Sequence, residues 1–321
     1  MKDTAQRLVA SPKGILAADE STKTITKRFL SIGLTSTPEL NKKYREMLFT
    51  TDGIEQFISG VILYDETIRQ GLGTILEEKG IISGIKVDGG LEPFGEGEEE
   101  ATKGLEGLGE RLKEYFSLGA KFTKWRGVFR ISDIYPTDAF LEENLNRMVE
   151  FAKISQSTGL VPIVEPEILL DGNYTTTRCE ETGGKVLKLL FDKLASQGVD
   201  LGSLLLKTSM VLPGNDSGVK AAPLEVAKAT VRTLKNSVAP EVAGVVFLSG
   251  GQSPDEATDN LNEIEKNLDG LVLSLSFSFG RALQEEALKV WAGLDENVKL
   301  AQEAFINRAR KVSLARNGEL T

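Results

Sequence analysis

Eight short apolar runs, each followed by a longer polar or amphipathic stretch, pace the chain from end to end. No other feature of the sequence restricts its fold more. The runs are GILAADE (14–20), FISGVILYDE (57–66), GIKVDGG (84–90), FTKWRGVF (122–129), LVPIVEPEIL (160–169), SLLLKTSMV (203–211), GVVFLSGG (244–251) and LVLSLSFSFG (271–280). Runs this short, rich in β-branched and aromatic residues, predict strands. Between them lie stretches such as ATKGLEGLGERLKEYFSLG, DAFLEENLNRMVEFAKISQSTG and PDEATDNLNEIEKNL, with apolar residues at helical spacing. Gly119, Gly159 and Gly198 each stand just before a strand, where glycine's tolerance of positive φ ends a helix. Strand–helix alternation predicts a parallel sheet. Eight units predict a single α/β domain over residues 1–321, a (β/α)8 barrel closed so that no strand is left at an edge. An open doubly wound sheet is the alternative, disfavoured because no G-x-G-x-x-G follows the first strand. No linker marks a second domain, and GEGEEE (95–100) reads as a solvated loop.

The runs turn polar at their ends. Asp19 and Glu20 end the first, Asp65 and Glu66 the second, Lys86 and Asp88 the third, Lys124 and Arg126 the fourth. Glu165 and Glu167 follow, then Lys207, Ser249, and Ser278 with Arg281 just beyond. Barrel active sites lie at the C-terminal strand ends, so seven or eight of these ends are expected to face one cavity. Residues two apart in a strand share a face, which groups Val161, Ile163, Glu165 and Glu167, and pairs Lys124 with Arg126. Pro162 and Pro166 take the other parity, toward helices. Pro166 lacks a donor and is expected to end regular pairing.

Composition narrows the chemistry. The chain has no histidine, one cysteine (Cys179) and a net charge of −9. Catalytic zinc sites usually use at least one imidazole, so no metal site is expected. Acid–base work then falls to carboxylates, lysine or tyrosine. A single cysteine forms no intramolecular disulfide and fits a reducing compartment. The acidic balance argues against nucleic acid or an anionic membrane as partner. No run is long enough to span a bilayer, and MKDTAQRLVASPKG lacks an apolar signal region. A cytoplasmic location is expected, and whether a precursor carried an organelle-targeting segment is left open.

Lys207 stands among Leu204, Leu205, Leu206 and Val211. A lysine in low dielectric beside other cations gives up its proton more easily, and the free amine attacks carbonyls to form a Schiff base. Lys86 and Lys124 are rivals on the same logic, though Lys207 has the most apolar neighbours. The blander reading, a lysine paired with Glu165 or Glu167 or reaching out to solvent, weakens because so many polar strand ends share the mouth. Glu165 and Glu167 serve either to hold lysines or to move protons, and two like charges in one site are expected to push one carboxyl pKa upward. LSGGQS (248–253) and SFGRAL (278–283) are Gly-containing turns after the seventh and eighth strands, the usual barrel phosphate site. There Ser249, Gly250, Gly280 and the guanidinium of Arg281 are the candidates. Ser21, Thr24 and Arg28, with Lys23 and Lys27 nearby, offer a second phosphate site, or else an ordinary N-capped helix.

Taken together, GILAADESTKTITKRFLSIG, GVILYDET, GIKVDGG, FTKWRGVF, VPIVEPEILLDG, LLLKTSM, FLSGGQS and SFSFGRALQEEALKVW resemble the class I fructose-bisphosphate aldolases along the whole chain. The resemblance implies a (β/α)8 barrel, usually a homotetramer, with no cofactor. It implies metal-independent, reversible cleavage of fructose 1,6-bisphosphate to dihydroxyacetone phosphate and glyceraldehyde 3-phosphate, in glycolysis and gluconeogenesis. By the same resemblance, Lys207 matches the Schiff-base lysine, Glu165 the carboxylate that moves protons during carbinolamine dehydration, and Glu167 its neighbour supporting the lysine. Asp19 matches the aspartate at the C4 hydroxyl, and Lys124 a lysine assisting the intermediate with Arg126 close by. Lys86 matches a further active-site lysine. Ser249, Gly250, Gly280 and Arg281 match one phosphate site, and Ser21, Thr24 and Arg28 resemble the region of the other. Some relatives also bind cytoskeletal partners.

The sequence departs from the family pattern in places. ARNGELT carries no tyrosine, whereas animal and plant members end in a longer tail with one, linked to proton exchange on the enamine. Thr208, Tyr174 and Phe279 replace a common proline, histidine and tyrosine. These changes bear on preference among fructose 1,6-bisphosphate, fructose 1-phosphate and sedoheptulose 1,7-bisphosphate. A barrel retained for binding alone is the alternative outside catalysis, and the complete polar set argues against it.

Overall fold

A computed structural model describes all 321 residues. The strands are β1 (Gly14–Ala18), β2 (Ile58–Leu63), β3 (Ile82–Lys86), β4 (Leu91–Pro93), β5 (Glu100–Thr102), β6 (Phe122–Phe129), β7 (Val161–Ile168), β8 (Leu205–Thr208), β9 (Gly244–Phe247) and β10 (Leu275–Phe279). All but β4 and β5 close into a parallel barrel in the ring order β1-β2-β3-β6-β7-β8-β9-β10. The eight predicted runs supply those eight strands, with helices between them. The predicted glycine stops hold: Gly119, Gly159 and Gly198 have φ of +99°, +82° and +73°.

Strand parity divides the core in two. Ile15, Ala17, Ile62, Ile82, Phe122, Val161, Ile163, Leu205 and Val246 fill the barrel interior, joined from below by Ala5, Leu8 and Val9 of the N-terminal segment. The helix Lys2–Leu8 thus closes the end of the barrel away from the polar strand ends. The alternate residues, among them Leu16, Val61, Trp125, Val164, Leu206 and Val245, pack outward against the helices. Trp125 stacks on Phe151 of the helix Asp138–Ser157 with ring centroids 5.5 Å apart. Burying a large apolar side chain of this kind contributes about 1.5–3 kcal/mol. Inside the barrel, Gly84 leaves room for Phe122, since a Cβ there would overlap the Phe122 ring.

Two sequence expectations need correction, and one strand end is missing from the seven or eight expected at the mouth. Pro166 does not end pairing on both sides: the β6–β7 ladder runs on to Phe129↔Ile168, whereas β7–β8 pairing stops at Val164↔Leu206. Pro166 shares parity with Ile168, whose N–H meets the Ser209 hydroxyl at 3.1 Å on the β8 side. The donor missing from proline therefore affects that side only. GEGEEE is not simply a solvated loop: it links the antiparallel hairpin β4–β5, and Glu99 is buried, accepting from Thr137 N (2.8 Å) and Oγ1 (2.6 Å) at the start of the helix Asp138–Ser157. Asp65 and Glu66 do not reach the barrel mouth. They open the short helix Asp65–Arg69, where Asp65 holds Arg69 (2.7 Å) and Tyr115 Oη (2.8 Å).

Candidate active site

One cavity of about 370 Å³ opens at the C-terminal strand ends. Asp19, Ser21, Thr24, Arg28, Lys86, Lys124, Arg126, Glu165, Glu167, Lys207, Ser249, Gly250, Gly280 and Arg281 all line it. They come from every barrel strand except β2. The same parity that sends Ile15, Phe122, Ile163 and Leu205 inward sends Asp19, Lys124, Arg126, Glu165 and Lys207 to the mouth.

Glu165 sits between two ammonium groups. Its Oε1 is 3.0 Å from Lys207 Nζ. Its Oε2 is 2.9 Å from Lys124 Nζ, an ion pair whose angle makes no hydrogen bond. Lys124 Nζ donates to Asp19 Oδ2 at 2.7 Å. Lys86 Nζ is tied to Asp88 by its Oδ1 (2.6 Å) and its carbonyl (3.3 Å). Arg126 pairs with Glu167 through Nε.

Burial alone would raise the pKa of Glu165, but Lys124, Lys207 and Arg126 outweigh it and hold the group below the usual carboxylate value. Asp19 follows the same balance: burial opposes its charge, and Lys124, Lys207 and Lys86 together hold it well below the ordinary range. Burial works against the Lys124 ammonium too, and Asp19, Glu165 and Asp88 overcome it and hold its pKa above normal. The upward push that like charges are expected to give one of the two carboxyls is therefore not found at Glu165. Arg126 pairs with Glu167, and the cations around Glu165 outweigh the opposing charge of Asp19. The apolar setting expected around Lys207 also proves misplaced: Leu204 and Leu206 pack outward with the helices, and Glu165 faces the amine.

The loops after β9 and β10 form one wall. Arg281 Nη2 donates to the carbonyls of Gln252 (2.8 Å) and Gly250 (3.3 Å), latching the two loops together. The helix Pro254–Lys266 is capped by Ser253 and Glu256. The helix Arg281–Trp291 has no side-chain cap, which leaves its first N–H groups open toward the cavity for an oxyanion. Next to this wall, after β1, Ser21 does not cap its helix by side chain; its hydroxyl lies 3.2 Å from Thr24 Oγ1. Lys23 and Lys27 are exposed and lie off the cavity wall.

Strand-end reasoning noted Glu20 and Ser278 without giving them a role, and both line the cavity. Buried Glu20 holds Arg28 Nη1 and accepts from Gln284 Nε2 at 2.9 Å. Gln284, one turn beyond Gly280 and also bonded to Ala17 O at 2.8 Å, escaped notice. Its helical spacing from Gly280 was the one available signal.

The family model for class I fructose-bisphosphate aldolase matches residues 1–321. The chain belongs to the class I fructose-bisphosphate aldolases. It is 47% identical over 313 residues to fructose-bisphosphate aldolase 4, cytosolic, of Arabidopsis thaliana, covering 95% of this chain and 80% of that one. It is 45% identical to the fructose-bisphosphate aldolase of Dictyostelium discoideum, with 99% and 92% covered. A solved fructose-bisphosphate aldolase from Plasmodium falciparum, in complex with TRAP and a small-molecule inhibitor, superposes with a TM-score of 0.97 at 46% identity, over 100% of this chain and 94% of that one. As a member of this family, the enzyme is a metal-independent lyase. It splits fructose 1,6-bisphosphate reversibly into dihydroxyacetone phosphate and glyceraldehyde 3-phosphate through a lysine imine, in glycolysis and gluconeogenesis.

Proposed function

We propose that Lys207 is the imine-forming amine and that Glu165 moves its protons. The supporting observation is the difference among the three lysines in the cavity. Lys124 is held by two carboxylates and Lys86 by an aspartate side chain and carbonyl, whereas Lys207 meets Glu165 alone. Glu165 enters as a carboxylate, takes the Lys207 proton, and frees the amine to attack the keto carbon. It then returns the proton to the carbinolamine hydroxyl, which leaves as water. Asp19, also held charged, accepts the C4 hydroxyl proton as the C3–C4 bond breaks and its electron pair flows into the iminium. Lys124 stays protonated between Asp19 and Glu165 and stabilises the developing charge. Glu167 orients Arg126 rather than touching Lys207.

Two groups of cavity residues take the two phosphates. Ser249, Gly250, Gly280 and Arg281 take one, at the open helix N-terminus. Ser21, Thr24, Arg28 and Lys86 take the other. In the ring order β3 stands four strands from β9, directly across the barrel, so Lys86 faces the Ser249–Gly250 turn. Fructose 1,6-bisphosphate, with a phosphate at each end, fits this reading. Thr208, Tyr174 and Phe279 do not line the cavity: the Tyr174 hydroxyl donates to Leu169 O (2.6 Å), and Phe279 packs on Phe277. The reading extends to one domain over residues 1–321, working as a homotetramer in the cytosol; sedimentation of the purified chain tests the tetramer.

Lys207→Met tests the central assignment. It should lower kcat for fructose 1,6-bisphosphate more than about a thousandfold, while chelators leave the wild-type rate unchanged. A variant within tenfold of wild type would overturn it.

A further inference from the structure

Asp88 is a buried carboxylate that contacts neither Lys124 nor Lys207 and reaches Lys124 only through its field, and its contacts set it apart from an ordinary salt-bridge partner. Its side chain is 4% exposed. Oδ1 takes Lys86 Nζ at 2.6 Å and the Gly90 N–H at 3.3 Å, while Oδ2 takes the Arg126 N–H at 3.4 Å. It therefore joins the Lys86 ammonium to the backbone of β6, the strand carrying Lys124 and Arg126. The segment around it is fixed from outside. Arg111 Nη1 donates to Val87 O at 3.1 Å, and Gly89 N–H donates to Lys103 O at 2.7 Å. Lys103, directly after β5, and Arg111 of the helix Leu108–Ser117 thus grip the turn that presents Asp88. Lysine has four rotatable bonds, and holding its ammonium at one point of a wide mouth needs a fixed partner.

We propose that Asp88 is a positioning residue that places Lys86 for the substrate phosphate farthest from the β9 and β10 loops, so that it favours bisphosphate over monophosphate ketoses. This rests on the reading of Lys86 as a ligand of that phosphate. Asp88 itself does not touch the reacting carbons. Its removal frees Lys86 to wander and weakens recognition of one phosphate, leaving the Lys207–Glu165 pair intact.

Asp88→Asn, Lys86→Met and their double variant, assayed with fructose 1,6-bisphosphate and fructose 1-phosphate, test this. Asp88→Asn should raise KM for the bisphosphate about tenfold, change its kcat by less than about threefold, and change kcat/KM for the monophosphate by less than about threefold. The double variant should discriminate between the substrates no less and no more than Lys86→Met, because Asp88 acts through that lysine. A role in general stability would lower both substrates alike. An equal loss on both substrates in Asp88→Asn, or additivity with Lys86→Met, overturns the proposal while leaving Lys86 as a phosphate ligand. A Lys86→Met enzyme that loses both substrates equally overturns the Lys86 reading and this inference together. Should Asp88→Asn not fold, the double variant decides, since it leaves no unpaired ammonium. Monophosphate turnover below that of Lys86→Met would mean that Asp88 acts elsewhere.

Discussion

Replacing Glu165 by glutamine removes the one carboxylate shared by Lys124 and Lys207. The two ion pairs are 2.9 and 3.0 Å long, and all three side chains are 5% exposed or less. At an effective dielectric constant of about 20, each contact carries about 5 kcal/mol of Coulomb attraction. Much of that offsets the desolvation of the charges, and breaking a buried pair usually costs about 3–5 kcal/mol net. Lys124 keeps Asp19 at 2.7 Å, so the stranded charge is that of Lys207. Glu165→Gln should therefore lose about 3–5 kcal/mol of unfolding free energy in denaturant titrations near pH 7. Adding Lys207→Met, which removes that ammonium at similar length, should restore most of the loss. In the single variant kcat should fall about 10²–10⁴-fold, as expected when a general acid–base is lost. A loss under about 1 kcal/mol, or no recovery in the double variant, would refute the claim that Glu165 holds two buried charges.

Three further outcomes follow from the charge balance and the backbone. Asp19 is folded with a depressed pKa, so its contribution is present above the unfolded value near 4 and is lost as pH falls through the folded one; the stability gap between wild type and Asp19→Asn should shrink as denaturation is measured at pH values below about 4. Glu265 is the opposite case, with burial pushing it up to about 7 and its Oε1 left without a partner. Its contribution is full below about 4.5 and is lost as pH rises through about 7, so Glu265→Gln should gain up to about 3 kcal/mol at pH 8 and nothing near pH 4.5 in paired melts. Gly250 has φ +48°, and a Cβ there would lie 3.1 Å from Leu248 Cδ1. Gly250→Ala should strain the phosphate loop by about 1 kcal/mol and raise KM several-fold, read by steady-state kinetics.

The barrel was legible because its rule is repetitive. FTKWRGVF reads as a strand from its residues and is β6 over the same eight positions, and the period of two that buries Ile163 also delivers Glu165 and Glu167 to the mouth. The expected phosphate residues of the β9 and β10 loops came from the same topology. What stayed hidden depended on contacts between distant segments. That Glu167 answers Arg126 while Glu165 answers two lysines is a matter of side-chain reach across strands. The sign of the Glu165 shift depended on counting cations from β6 and β8, not on its carboxylate neighbour. The hairpin β4–β5 has only three residues a strand, too short for any periodicity to show. Asp65 and Glu66 follow β2 as Asp19 and Glu20 follow β1, yet Glu66 turns aside to buried Arg45 (3.0 Å), which itself donates to Glu20 O at 2.9 Å.

Borohydride trapping with dihydroxyacetone phosphate, followed by peptide mass mapping, addresses the proposed nucleophile most directly. The account predicts the mass of one reduced triose phosphate on the peptide containing Lys207, at full occupancy, and on no other. Label on the peptide of Lys124 or Lys86, or an enzyme that stays unmodified and active under reductant and ketose, would contradict it.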